Sequence, residues 1–320
     1  MMEIMQNGSG EGTLKIGMNK LTATVMENNI KLYSYQPTSD PDLFRYVKLD
    51  GDWQYYWIKS KNLYVPAVNH VLKLGFPKGV AFYNYLLSVS KEQAEKILEE
   101  AGEKGARVHD AIRGIIGGEK ITLNSMYPND ITGRPEKVSM DEWRCLLAFR
   151  AFCEAVKPER VLVEHSVATS AYAGTVDFVG TILIRETPKA EPKRVRVVLD
   201  WKSGSGIYDD YKLQTAAYFE ALKDPFIEYT GVVRVGTRHK NGGLDNCGYE
   251  VKLWNKDETF KHYQAFESAL NIFRFNEPEF EPSEVEMPTE IQVSIPEYKA
   301  PAPVKKTRVA RPKKTINATK

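Results

Sequence analysis

The amino-acid sequence predicts an α/β fold: a mixed central sheet flanked by helices, with an N-terminal β accessory element ahead of it. Three features carry the prediction. Residues 14–64 form short stretches rich in Val, Ile, Tyr and Trp. Helical spacing with cap signals dominates residues 66–156, and β-branched runs then alternate with helical segments as far as Phe273. Strands and helices interleaved in this way bury a sheet beneath helices.

In chain order, residues 1–12 contain Gly8, Gly10 and Gly12 and read as a disordered N-terminus. Residues 13–64 are the β-rich accessory element, with Asp50-Gly51 as a hairpin turn before a strand at 53–58. The main domain is expected over residues 65–285. It opens with a short helix at 66–74 that closes before Gly75. Ser90 with Gln93 makes a capping box for a helix running towards Gly102, and a separate helix should cover 105–116 and stop at Gly117-Gly118. A glycine-rich stretch at 114–120 lacks the Gly-Lys-Ser/Thr ending of a phosphate-binding loop, so it reads as that helix terminus. Residues 140–156 are helical, and Pro158 follows. Residues 161–169, 175–184 and 195–201 read as adjacent strands, and 208–222 as a helix. Strands at 229–235 and 248–254 flank an Asn241-Gly242-Gly243 turn, and Asn255 with Glu258 caps a last helix bearing Phe260, Tyr263, Phe266, Leu270 and Phe273. Residues 286–320 are rich in Pro, Lys and polar side chains and are expected to be a disordered basic tail.

With 42% hydrophobic and 27% charged residues the composition is that of a globular protein. No apolar run approaches the roughly 18 residues of a spanning helix, and residues 1–12 lack the basic start and apolar stretch of a signal peptide, so a soluble, cytoplasmic protein with no membrane partner is expected. Cys145, Cys153 and Cys247 are too few for a disulfide framework or for an iron–sulfur cluster held by this chain alone; the first two read as buried free thiols. The net charge of +2 hides an asymmetry: residues 299–320 hold eight Lys or Arg and no acid, leaving 36 basic against 42 acidic residues elsewhere. A basic arm of this kind can neutralise phosphates without a folded basic face.

Two acids interrupt otherwise apolar strands. In Gly174-Thr175-Val176-Asp177-Phe178-Val179-Gly180 a carboxylate sits within the strand, where leaving it unpaired costs on the order of several kcal/mol. The next strand ends in Leu199-Asp200-Trp201-Lys202, and alternation puts Asp200 and Lys202 on one side and Trp201 on the other. Antiparallel pairing of the two strands would bring Asp177 to Asp200. Two carboxylates beside an ammonium suit a hard divalent cation, Mg2+ or Mn2+, which polarises a phosphoryl oxygen and activates water while Lys202 steadies developing charge. The chemistry implied is phosphodiester hydrolysis.

Four segments, in this order, resemble the RecB-like branch of the PD-(D/E)XK nucleases, which includes phage-type recombination exonucleases and CRISPR-associated RecB-like nucleases. They are Gly105-Ala106-Arg107-Val108-His109, Gly174 to Asp177, Asp200-Trp201-Lys202 with Ser203-Gly204, and Gln214-Thr215-Ala216-Ala217-Tyr218. Tyr64-Val65-Pro66-Ala67-Val68 resembles the family's lead-in, although Asn69 and His70 stand where the family has small hydroxyl residues. The resemblance covers residues 64–222 and implies a restriction-endonuclease-like core. It implies a metal shell of His109, Asp177, Asp200 and the Trp201 backbone carbonyl, with Gln214 and Tyr218 positioning Lys202 and the DNA backbone. Glu164, on the preceding strand, is either a further ligand, an outer-shell acid or a solvated edge-strand acid. His109 has an alternative as an ordinary core or surface histidine, and Gln214 and Tyr218 as packing residues.

The activity implied is a Mg2+-dependent deoxyribonuclease, an exonuclease processing double-strand ends in phage or bacterial recombination, in the cytoplasm of the bacterial cell or infected host. Its implied partners are DNA ends and a single-strand annealing protein. In the tail, Lys305, Lys306, Arg308, Arg311, Lys313 and Lys314 are candidate DNA contacts, against a merely solvated terminus. The competing readings are a catalytically inert DNA-binding scaffold of the same fold and an RNA-directed hydrolase.

Overall fold

The structure is a computed structural model that describes residues 4–6, 12–16, 19–25, 29–31, 33–48, 54–128, 134–185, 187, 189–238, 247–277, 280, 286–288 and 291–294. The chain divides into two units, one of residues Met1–Lys31 with Val285–Lys320 and one of Leu32–Glu284. The Asp50-Gly51 and Asn241-Gly242-Gly243 turns and all six candidate DNA contacts of the tail lie outside the described residues.

Strands β1 (Ile4–Gln6), β2 (Gly12–Ile16), β3 (Asn19–Val25) and β4 (Asn29–Lys31) belong to the first unit. The second unit opens with β5 (Tyr33–Pro37), β6 (Leu43–Lys48), β7 (Tyr55–Ile58) and β8 (Leu63–Pro66), an antiparallel four-stranded sheet. Its inner face buries Leu43, Tyr56, Ile58 and Val65, with Ala67 and Ala173, so it is built into the unit's core. Tyr46 and Tyr55 join the larger cluster formed with the helices described next.

Helices α1 (Val68–Gly75), α2 (Val80–Ser88) and α3 (Lys91–Gly117) follow. The sequence reading breaks α3 into two helices and lacks α2. Instead, α3 runs unbroken for 27 residues from its Ser90–Gln93 capping box to Gly118, whose positive φ ends it. Gly102 and Gly105 lower helix propensity by about 1 kcal/mol each, too little to stop a helix once a buried face holds it. That face includes Val108, Ala111 and Ile112. A short hairpin, β9 (Met126–Pro128) with β10 (Pro135–Lys137), leads to α4 (Met140–Val156).

Glu142 ties α3 to α4. It is buried, caps α4 by accepting from Ser139 N at 2.7 Å, and accepts from Arg107 Nε at 2.7 Å. Both partners are donors, so Glu142→Gln, which turns one acceptor into a donor, is expected to cost about 2 kcal/mol in urea unfolding. No change in the urea midpoint would refute this account.

The central sheet comprises β11 (Glu159–Ala168), β12 (Ala173–Ile184), β13 (Lys193–Lys202), β14 (Tyr229–Arg238) and β15 (Cys247–Asn255), in that order. All neighbours are antiparallel except β13 and β14, which are parallel and joined through α5 (Asp209–Leu222). Helix α6 (Lys256–Asn276) closes this unit from the predicted Asn255–Glu258 capping box. The alternation along β13 divides the core. Val195, Val197, Leu199 and Trp201 pack with α3 and α4, while Val198 packs with α1, α5 and α6. Cys145 is a buried free thiol as expected, and burial pushes the half-buried Cys153 thiol up to about 11.

Strands β16 (Glu286–Pro288) and β17 (Ile291–Ser294) complete the first unit, where β17 pairs with β3 and β16 with β4. Three boundaries therefore shift from those the sequence suggests. Residues 4–6 are a strand paired with β2, not part of a disordered N-terminus. The expected accessory element divides at residue 31, and the expected tail begins with two paired strands. The cause is long-range pairing: an isolated strand of three or four residues is unstable, and local composition does not reveal a partner some 260 residues away. Among the described residues, no helix is long and apolar enough to cross a membrane.

Candidate metal centre and lysine site

The site forms at the end of β13, where α3 meets one face of the sheet and α5 the other. The β12–β13 register pairs Phe178 with Leu199, which sets Asp177 across from Asp200 as antiparallel pairing requires. Asp177 is buried, and its Oδ2 accepts from the Trp201 N–H at 2.8 Å. His109, from α3, places Nδ1 3.4 Å from the same oxygen and Nε2 2.9 Å from the Trp201 carbonyl. Two acceptors on opposite ring nitrogens favour the doubly protonated ring. Burial opposes that charge, but Asp177 and then Asp200 overcome it and raise His109 to about 9. For Asp177 the desolvation penalty is outweighed by His109 and Lys202, which hold its carboxyl below the usual range.

Glu164 completes a group with His109 and Asp177 in which one ligand atom from each lies within 4.8 Å of the others. It stands on the edge strand β11, between the Val163–Phe178 and His165–Val176 pairs. Its φ of 48° is the left-handed region, uncommon for a side-chain-bearing residue in a strand. Half-buried and within reach of His109 and Asp177, its carboxylate stands where a further ligand or an outer acid would. Burial and the neighbouring Asp177 raise Glu164 to about 7.

On the α5 side, Lys202 Nζ lies 2.6 Å from Asp200 Oδ2 and donates to Gln214 Oε1 at 3.0 Å, while Gln214 Nε2 donates to the Tyr218 hydroxyl at 3.0 Å. Burial raises Asp200 to about 6, a shift that Lys202 reduces and Asp177 increases. Lys202 itself is raised because Asp200 and Asp177 outweigh its own desolvation. Gly174 is required here: a Cβ would stand 2.5 Å from Tyr218 Cε1, so only glycine lets that ring lie against β12. Gly105, by contrast, faces only Ser203 Oγ at 3.7 Å, an ordinary contact.

All the core site residues expected from the sequence therefore meet in one place, in two linked clusters. His109, Glu164, Asp177 and the Trp201 carbonyl form the first, and Asp200, Lys202, Gln214 and Tyr218 the second. The sequence reading missed Tyr211, whose ring lies 4.6 Å from Lys202 Nζ. Its signal was available: residues 211, 214 and 218 recur at i, i+3 and i+7, one face of a helix.

The donor set suits a hard divalent cation. It offers carboxylate oxygens, a backbone carbonyl and one imidazole, and the burial that raises Glu164 and Asp200 is a desolvation penalty that a bound cation would offset. No protein-family model matches the chain, and no curated protein matches it.

Proposed function

We propose that this chain is a metal-dependent DNA nuclease of the RecB-like PD-(D/E)XK kind that hydrolyses phosphodiester bonds at DNA ends. The observation that carries the reading is the register of β12 and β13, which sets Asp177 across from Asp200, with His109 and the Trp201 backbone beside Asp177 and Lys202 beside Asp200. A divalent ion, Mg2+ or Mn2+, would polarise a phosphoryl oxygen and lower the pKa of a coordinated water. His109, Asp177, Glu164 and the Trp201 carbonyl would hold it, with Asp200 beside them. Lys202 would then neutralise charge developing on the phosphoryl oxygens, held in place by Asp200 and Gln214, and Tyr218 would orient Gln214. In this reading the setting is recombination in a bacterial or phage-infected cytoplasm, with DNA ends and an annealing protein as partners and the basic tail as an additional grip on phosphate.

Product analysis on end-labelled linear duplex and on covalently closed circles, with and without Mg2+, tests the proposal. Mg2+-dependent release of nucleotides from the linear substrate alone is the expected result, and inertness on both would leave an assembly module instead.

Ion binding should also depend on pH in a defined sense. His109, at about 9, and Glu164, at about 7, must both shed protons to become ligands. Mn2+ affinity should therefore rise from pH 6 towards pH 9 and level off above, and calorimetry in buffers of different ionisation enthalpy should register proton release. An affinity independent of pH over this range would remove His109 from the ligand set.

A further inference from the structure

Residues 203–207, Ser-Gly-Ser-Gly-Ile, join β13 to α5 beside the lysine. The next residue, Tyr208, is one of the exposed aromatic residues among those described, with about half its surface open. The ring is nonetheless held. Its hydroxyl lies 2.9 Å from Ser205 Oγ, and it meets Tyr211 edge to face with ring centroids 5.5 Å apart. Arg234 fixes the loop by donating to the Ser205 carbonyl at 3.1 Å. Tyr211 in turn lies under Lys202 Nζ at 4.6 Å, so a continuous chain of contacts runs from the ammonium to the exposed ring. Water-exposed aromatics gain nothing from their exposure, whereas a held ring one aromatic neighbour away from a cation suits a nucleotide, whose base and phosphate these two groups would take. Within a duplex each base is already stacked on both faces. Only a terminal or unpaired base has a face to offer.

We propose that Tyr208 is a stacking platform for an unpaired base next to the phosphate held at Lys202, so that the site selects single-stranded or frayed DNA ends. This rests on the nuclease reading and adds the state of the substrate to it. The platform is a specificity device, and it leaves the hydrolytic groups unchanged.

Fluorescence anisotropy on the full chain with metal omitted tests it, using a short single-stranded oligonucleotide and a duplex closed by hairpins at both ends. Tyr208→Ala should weaken single-strand binding by about 5- to 100-fold and leave the closed duplex unchanged, and Tyr208→Trp should restore the loss. Moving one abasic site along the oligonucleotide should reveal a position where it and Tyr208→Ala are not additive, the signature of a direct contact. Equal losses on both substrates, or none, would overturn the platform. If the wild type cleaves linear DNA while Tyr208→Ala binds normally, the platform alone falls. If the wild type neither binds nor cleaves, the nuclease reading falls with it.

Discussion

Under the proposed nuclease function, Lys202→Ala should lower phosphodiester hydrolysis by about 10^3-fold, the scale on which single groups that stabilise transition-state charge act. Lys202 is the only ammonium described in contact with the acid cluster, 2.6 Å from Asp200 and 3.0 Å from Gln214. Its removal takes a positive charge away from the place where a phosphoryl group would accumulate negative charge. The sign of a second effect separates this from loss of the ion. Removing the ammonium takes away a charge that repels the ion, so at a pH high enough to keep Asp200 ionised Mn2+ affinity should hold or increase while turnover collapses. Asp200 would also lose its partner in the buried interior, and breaking such pairs costs about 3–5 kcal/mol. Lys202→Met, which retains the apolar stem, keeps more of the packing around Tyr211 and should show the same catalytic defect. Undiminished turnover in both variants would sink the mechanism.

A large effect on stability away from the site is expected at Gly75. A Cβ there would stand 2.1 Å from the Ala269 carbonyl oxygen of α6 and 2.9 Å from its carbon. These are backbone atoms with no side chain to swing aside, so α1 and α6 would have to separate, although Val68, Val71, Leu72, Phe266, Leu270 and Phe273 are buried in their shared cluster. Overpacking of this kind costs about 3 kcal/mol. For Gly75→Ala that corresponds to a fall in melting temperature of roughly 6–12 °C for a unit of this size. Gly105→Ala is the matched control. With only Ser203 Oγ at 3.7 Å and a helical backbone, it should be neutral or stabilising by up to about 1 kcal/mol. A Gly75→Ala melting curve no lower than that of Gly105→Ala would show that α1 and α6 can part without cost.

Most of the second unit was legible because its signals are local. The bounds of α4 agree with the helix read from periodicity, and β12, β13, α5 and α6 begin within two residues of the expected positions. The capping boxes read at Ser90 and Asn255 are short-range hydrogen-bond patterns that any helix start can satisfy, and the structure adds a third at Ser139 that the sequence reading missed. Reading Gly102 as the end of a helix failed because propensity is a small term beside the buried face of α3. Reading Gly75 as punctuation also missed its main role. It is a point of close approach between two helices, and that depends on a partner remote in sequence.

The site divides in the same way. Strand alternation and helical spacing were enough to put Asp200 with Lys202, and Gln214 with Tyr218, since each pair lies within one element whose geometry is set by its own backbone. The sequence alone therefore determined which side chains could act together within a strand or helix. Only the tertiary structure decided what lies between elements: His109 facing both Asp177 and the Trp201 carbonyl, Glu164 turned in by a left-handed backbone, and two segments at opposite ends of the chain paired into one sheet. Those arrangements depend on packing and on strand pairing across long loops, whose free energy belongs to the whole fold and to no single stretch of residues.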